Sequence, residues 1–258
     1  LMLDLAGGHL LLDQTNWDLY GPKRVLATSL PMAIMNHLGV RATDPTSIKP
    51  SRFAIAGQSL TPLDIRAAAN MAFEDETPDD KTGGWTDQGS NDLRDIPLGF
   101  NTFGGIPFEI IDPAANDGKS CIVLSDKSRS FLPTRVSIPI KGQVRRLYFL
   151  HTLAWAPKNG TEAYAFRVKD HVQSEMHIPI VTGMDTANWW KRKFEQTTPK
   201  PMPSAATLRL PLNTRDVQRN LFITCWENPN PTAPVDSLIF EVVDPHAVPV
   251  LIAVSIQN

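Results

Sequence analysis

The sequence predicts a mainly β protein in which antiparallel strands form a two-layer sandwich or jelly roll. From position 53 onward, short apolar runs recur, and most are bounded by Gly, Pro, Asn or Asp. Little helical periodicity separates these runs, which disfavours a parallel sheet built from βαβ units. The 22 prolines in 258 residues favour a loop-rich protein with many strand ends, because proline is poorly tolerated inside helices and central strands.

Residues 1–52 have a different pattern and form a predicted N-terminal extension. A turn followed by a short buried strand is predicted over 6–13. Between Pro22 and Leu38, apolar residues recur at a spacing of three to four, which predicts one amphipathic helix, with Gly39 as its C-cap. This α-containing extension either docks on the sandwich or belongs to the tail of an upstream domain.

Residues 53–258 form the predicted sandwich domain. Its candidate strands are short apolar segments of the kind that pack on one or both faces of a sheet. They span 53–56, 108–111, 121–124, 136–140, 146–150, 164–168, 177–181, 207–210, 221–226, 238–242 and 250–254.

Composition and charge exclude several classes of partner. The net charge of −2 offers no basic field for a nucleic-acid backbone. No apolar run approaches the roughly 20 residues that cross a membrane as a helix. Cys121 and Cys225 lie in separate apolar runs, which favours buried free thiols, although a disulfide stays open.

Residues 83–94 carry an unusual concentration of polar groups beside one aromatic ring. The segment combines three glycines with Trp85, several amides and carboxylates, and Arg94. It predicts a long ordered loop that presents polar groups next to a flat apolar surface. Such a surface suits a polyhydroxylated ligand, since aromatic rings cover C–H faces while polar side chains pair with hydroxyls. The alternative is a loop that only connects strands.

A series of motifs extends this pattern along the chain in a fixed order. They occupy 62–65, 69–70, 73–76, 83–94, 101–108, 111–113, 116–124, 151–152, 183–190, 226–231 and 248–254. Together they resemble one group of galactose-binding-like β-sandwich domains, from about position 53 to the C-terminus. The resemblance implies an accessory module of a bacterial enzyme that degrades plant or algal polysaccharides. It therefore implies carbohydrate binding, an upstream catalytic domain in the same polypeptide, and an extracellular or periplasmic location.

The N-terminal segment has a shorter resemblance of its own. Residues 5–12 resemble a late strand of the amidotransferase-like domains found inside some glycosidases. No secretion signal pattern is visible in the chain. We therefore expect the chain to be part of a longer enzyme.

The candidate carbohydrate-binding residues are loop aromatics and nearby polar groups. For each tryptophan the alternative is burial in the core with its N–H paired. Arg94 could instead pair with Asp87 or Asp95 and brace the loop, and a lone histidine beside a strand is often structural. The candidates are Trp85, Asp87, Asn91, Asp92, Arg94, His151, Trp155, Trp189 and Trp190.

A crowd of carboxylates before the loop predicts a structural calcium site. Calcium takes six to eight oxygen ligands. Sandwiches of the discoidin type, which the segment 79–85 resembles without their Asp-Gly pair, close such a site with a glutamate from a late strand. The predicted ligands are therefore Asp75, Asp79, Asp80 and Glu241. A solvated acidic loop without an ion is the alternative.

Two other functions remain open at this stage. A glycosidase needs two carboxylates that flank the bond, and a jelly-roll lyase commonly uses Arg, His and Tyr on one sheet face. Strand alternation would separate Tyr148 from His151, which argues against the lyase. A purely structural module would instead pack an apolar patch, around 17–38, against an upstream partner. The glycosidase candidates are Asp87, Asp92, Glu227 and Glu241.

Overall fold

The computed structural model describes residues 2–4, 9–11, 59–81, 84–125, 127, 129–172, 174–192, 205–210 and 217–258. The predicted helix between Pro22 and Leu38 and the predicted strand 53–56 lie outside these residues. At the N-terminus, β1 (Met2–Asp4) pairs antiparallel with β2 (His9–Leu11). None of the described helices is long and apolar enough to cross a membrane.

The larger of two packed sheets has seven strands, and every described strand pairing in it is antiparallel. Its main path runs β11 (Trp190–Arg192), β13 (Val217–Glu227), β8 (Arg146–Ala154), β15 (Val248–Gln257) and β3 (Leu60–Leu63). In addition, β12 (Ala205–Leu210) pairs with β13, and β6 (Ile122–Val123) pairs with β15.

The smaller sheet has four antiparallel strands. Their order is β10 (Glu175–Val181), β9 (Glu162–Asp170), β14 (Pro234–Val242) and β7 (Arg135–Gln143). A separate hairpin joins β4 (Gly99–Phe103) to β5 (Ile106–Ile110). Short 3-10 helices occupy Arg66–Ala68 and Pro113–Ala115. The predicted antiparallel β-sandwich is confirmed.

An aromatic core joins the two sheets. Phe149 on β8 stacks on Phe166 of β9, with ring centroids 4.0 Å apart. Phe166 in turn stacks on Phe240 of β14 at 5.1 Å. All three rings are fully buried. Aromatic pairs of this kind stabilise the packing beyond the area they remove from water.

The seven-stranded sheet is buried on both faces. Tyr148 and Leu150 alternate with the inter-sheet residues of β8 and pack beneath residues 71–81 and 84–110. We call residues 71–81 and 84–110 the loop layer; the inner side of the β4–β5 hairpin belongs to it. Because both faces are covered, β8 and β15 consist almost entirely of buried residues, as their continuous apolar sequences require.

Four of the described strands are absent from the sequence prediction: β1, which precedes the strand predicted within 6–13, and β3, β4 and β11. β3 contains Pro62 and lies at the end of the main sheet path, where a missing N–H is tolerated. β4 starts at Gly99 and contains polar residues, and β11 has only three residues. Cys121 and Cys225 form no disulfide, as favoured above; Cys121 is buried as predicted, whereas Cys225 is half-buried.

Candidate functional site

The loop around Trp85 forms part of the core. Trp85 is fully buried, and its ring meets Trp189 edge to face with centroids 4.7 Å apart. Trp189 is 1% exposed. The expectation that this loop presents Trp85 to a ligand is wrong, because the ring completes the apolar cover of the seven-stranded sheet. The alternative of core packing is confirmed for both tryptophans.

A glycine allows this loop to approach the neighbouring segment closely. A Cβ at Gly84 would lie 2.2 Å from the Cβ of Asp75. That distance is far below any van der Waals contact, so a side chain at this position would force the loop out of the layer. The glycine thus serves packing between two segments of the loop layer.

Asp92 and Arg94 brace the loop. Asp92 is 1% exposed, and its Oδ2 accepts hydrogen bonds from the Asp75 N–H at 2.9 Å and from Arg94 Nη2 at 2.8 Å. These contacts raise the pKa of Arg94, chiefly through the hydrogen bond with Asp92. Asp92 is therefore not available to a ligand. The predicted bracing role of Arg94 is confirmed, with Asp92 as partner in place of Asp87 or Asp95.

His151 is a structural residue between the sheets. It is fully buried, with Nδ1 2.5 Å from the Tyr164 hydroxyl and Nε2 3.1 Å from Thr224 Oγ1. Burial lowers the pKa of His151 to about 3. The expectation that His151 contacts a ligand is wrong, since no surface of the ring is accessible.

The residues considered for catalysis are distributed over several elements, and only Asp87 and Asp92 share one of them, the loop layer. Tyr148 faces the loop layer and His151 faces the inter-sheet core, so the predicted separation by alternation is confirmed. Glu227 ends β13 and pairs with Arg146 at 3.0 Å. Glu241 lies on the four-stranded sheet, whereas Asp92 lies in the loop layer.

Trp155 is the predicted tryptophan that the structure leaves open to solvent. It follows the last residue of β8 and is 40% exposed. Its φ of +51° lies in the left-handed region, which is rare for a bulky residue and costs free energy. The surrounding chain therefore maintains this exposed ring in a strained conformation.

Arg129 connects Trp155 to the loop layer. Its guanidinium carbon lies 4.7 Å from the centroid of the Trp155 ring, in cation–π geometry. Its Nη1 is 3.2 Å from Asp87 Oδ2, and its Nη2 donates to the Thr86 carbonyl. Both charged side chains are largely buried, with 13% exposure for Arg129 and 5% for Asp87. We call Trp155, Arg129 and Asp87 the Trp155 platform.

Sequence reasoning identified Trp155 and Asp87 but missed Arg129. Arg129 lies in the connection between β6 and β7, 42 positions from Asp87. No local motif marks it. Its role depends on the meeting of three distant segments, which only the folded sandwich brings about.

Three carboxylates of the acidic segment converge beside this platform. One oxygen from each of Asp75, Asp80 and Asp87 lies within 4.8 Å of the others. Asp75 Oδ2 accepts from the Gly89 N–H at 2.6 Å, and Asp87 Oδ1 accepts from the N–H of Asp80 at 3.1 Å. Burial raises the pKa of Asp75, and the charges of Asp87 and Asp80 raise it further. An all-oxygen donor set of this kind suits calcium.

Two of the predicted calcium ligands do not join this cluster. Asp79 contributes its backbone N–H, which donates to the Asp87 carbonyl at 3.2 Å, and its side chain is exposed. Glu241 binds Arg167 at 2.5 Å on the four-stranded sheet. Its assignment as the closing ligand is wrong, because both sheets separate it from the loop layer.

The two remaining candidates have intermediate exposure. Asn91 is half-buried in the loop layer. Trp190 is half-buried and packs against Trp189, with ring centroids 6.3 Å apart. Among the predicted aromatic candidates, Trp155 therefore presents the most accessible ring.

No protein-family model matches this chain, and no curated protein matches it either.

Proposed function

We propose that the sandwich domain is a non-catalytic carbohydrate-binding module of an extracellular or periplasmic enzyme that degrades polysaccharides. The observation that supports this most directly is Trp155, a 40% exposed tryptophan held at φ +51° beside a guanidinium. A strained, exposed aromatic residue that its surroundings hold in place is a typical feature of a ligand site. The ordered motifs that resemble galactose-binding-like modules support the same class of ligand.

The Trp155 platform combines the two kinds of group that a sugar needs. The ring offers an apolar surface for C–H groups. Arg129 has five N–H donors in a fixed plane, of which its contacts with Asp87 and Thr86 occupy only part. The ion pair with Asp87 holds the guanidinium in place, so little side-chain entropy is lost when a ligand binds.

The arrangement of carboxylates favours a binding role over hydrolysis by this chain. Glycoside hydrolysis uses two carboxyl groups that face one bond from about 5 to 9.5 Å apart. In the described residues, Asp87 and Asp92 are buried and pair with Arg129 and Arg94, while Glu227 and Glu241 lie on different sheets and also pair with arginines. A separate catalytic domain upstream in the same polypeptide would supply the chemistry.

Affinity measurements with matched variants test the proposal. The wild-type chain and Trp155→Ala are compared by affinity electrophoresis in gels containing agarose, galactan, xylan, mixed-linkage glucan or pectin. Val172→Ala is the control, since Val172 is 67% exposed in the turn between β9 and β10, away from the platform. We expect retardation of the wild type by at least one polysaccharide and binding about tenfold weaker for Trp155→Ala, as for loss of one aromatic contact.

Thermal melting of each variant shows whether a loss of binding reflects a loss of folding. Trp155→Ala should melt close to the wild-type temperature, because the lost ring is 40% exposed and alanine keeps the Cβ, and with it the strained backbone, at this position. The proposal fails if the wild type binds none of the five polysaccharides. It also fails at this site if Trp155→Ala binds as tightly as Val172→Ala.

A further inference from the structure

The outer face of the β4–β5 hairpin carries a second exposed aromatic ring. Phe100 on β4 is 77% exposed, the highest exposure among the large hydrophobic side chains of the described residues. Leu98, two positions earlier, is 46% exposed. Neither residue contributes to the Trp155 platform or to either hydrophobic core. Folding alone therefore gives no reason for this apolar surface.

The hairpin that carries Phe100 is firmly anchored. Phe108 on the inner side of β5 is fully buried in the loop layer, and Ser255 of β15 donates a hydrogen bond to the Pro107 carbonyl. The Asn101 amide lies 2.9 Å from the Pro97 carbonyl and 3.1 Å from that of Gly99. These contacts present Phe100 on a rigid element, as a binding surface requires.

A polar group stands directly beside the ring. Phe100 pairs across the hairpin with Glu109, so the two side chains project from the same face as nearest cross-strand neighbours. Glu109 forms an ion pair with Arg66, whose Nη1 also lies 3.1 Å from Asp64 Oδ1. Arg66 is 37% exposed and Glu109 is 20% exposed, so both can be reached by a ligand above the ring.

We propose that Phe100, Glu109 and Arg66 form a second carbohydrate-binding site; the ligand class rests on the function proposed above. The ring covers C–H groups of a pyranose, the Glu109 carboxylate accepts from its hydroxyls, and the Arg66 guanidinium donates to them. Two carboxylates, Glu109 and Asp64, share the single Arg66 guanidinium, and this excess of negative charge favours a neutral sugar over an anionic one.

The two sites lie at different ends of the seven-stranded sheet. Trp155 follows Ala154, which pairs with Val248, whereas the hairpin contacts β15 at Ser255. Seven residues along a strand correspond to about 23 Å. Substitution at one site should therefore leave the structure of the other unchanged.

The test uses Phe100→Ala in the polysaccharide panel named above, with Trp155→Ala and Val172→Ala run in parallel. We expect Phe100→Ala to bind the polysaccharide that retards the wild type about tenfold more weakly than the wild type does. Val172→Ala should bind that polysaccharide as tightly as the wild type. Glu109→Gln, which keeps the shape of the side chain, should also weaken binding. The melting temperature of Phe100→Ala should match the wild type, since an exposed ring contributes little to stability.

The outcomes distinguish failure of this inference from failure of the proposed function. If Trp155→Ala binds the polysaccharide more weakly than the wild type but Phe100→Ala binds it as tightly as the wild type, the second site is overturned and the Trp155 platform stands. If Phe100→Ala alone loses affinity, the second site is supported and the Trp155 platform is overturned. If the wild type binds no polysaccharide, both proposals fail together.

Discussion

Arg129 bridges Trp155 and Asp87: its guanidinium carbon is 4.7 Å from the Trp155 ring centroid, and its Nη1 is 3.2 Å from Asp87 Oδ2. The bridge joins the end of β8 to the loop layer. Asp87 is buried, so its carboxylate depends on this partner and on the backbone N–H groups of residues 80 and 81 for compensation.

Replacement of Arg129 should destabilise the fold. Arg129→Ala leaves the Asp87 carboxylate buried with its charge uncompensated, and we expect a loss of about 2–3 kcal/mol in the free energy of unfolding. Arg129→Lys restores a positive charge without the planar fork and should recover part of this loss. Urea denaturation measures the free energy of unfolding of both variants and of the wild type. Equal stability of Arg129→Ala and the wild type would show that the bridge contributes nothing.

Trp85 and Trp155 should respond in opposite ways to truncation. Trp85→Ala removes a fully buried ring from the loop layer, so we expect a loss of about 3–5 kcal/mol in stability. Trp85→Phe should lose less, because part of the volume is retained. Trp155→Ala should keep its melting temperature and lose glycan affinity. A Trp85→Ala variant with wild-type stability would contradict the buried placement of the loop.

His151 should make stability fall in acid. Its pKa is lowered to about 3 in the folded state from an ordinary value of 6.5, so between these values the unfolded chain binds more protons. The free energy of unfolding therefore rises with pH across this window. As the pH falls from 6.5 towards 3, this contribution of His151 to stability decreases by about 1.4 kcal/mol per pH unit. Denaturation of the wild type at pH 4, 5, 6 and 7 measures the slope.

The matched variant His151→Gln isolates this contribution. Glutamine can hydrogen bond with Tyr164 and Thr224 but does not titrate. The free energy of unfolding of the variant should therefore change less steeply with pH over the same window. The raised pKa of Asp75 acts in the opposite direction in both proteins and cancels in the comparison. Identical slopes would mean that His151 is not the buried neutral group described here.

Calcium should raise the melting temperature if the acidic cluster holds an ion. Of the predicted ligands, Asp75 and Asp80 lie together, and Asp87, which was not predicted as a ligand, joins them. Burial raises the pKa of Asp75, and the charges of Asp87 and Asp80 add to this effect. A cation there would relieve the repulsion between these carboxylates, and binding to the folded state alone stabilises that state. We expect a higher melting temperature in 2 mM CaCl₂ than in EDTA, and no difference for Asp80→Asn. If the wild type has the same melting temperature in CaCl₂ and in EDTA, the result counts against calcium binding at this cluster.

Part of this outcome could be predicted from local sequence. Short apolar runs bounded by turn residues correctly indicated β5 to β10 and β12 to β15, because strand formation follows side-chain alternation and local turn chemistry. The burial of Trp85 also had a signal. The continuous apolar runs of β8 and β15 require cover on both faces, and the aromatic loop layer is the segment that supplies it.

By itself, the sequence determined an antiparallel β protein and an acidic segment with several carboxylates in reach of one another, and it favoured thiols without a disulfide. The tertiary structure decided which aromatic rings are buried and which are accessible. It enclosed Trp85 and His151, left Trp155 and Phe100 exposed, and placed Arg129 beside Asp87. Strand patterns are local, whereas exposure depends on which distant segment covers each face, and that contact exists only after the sheets have packed.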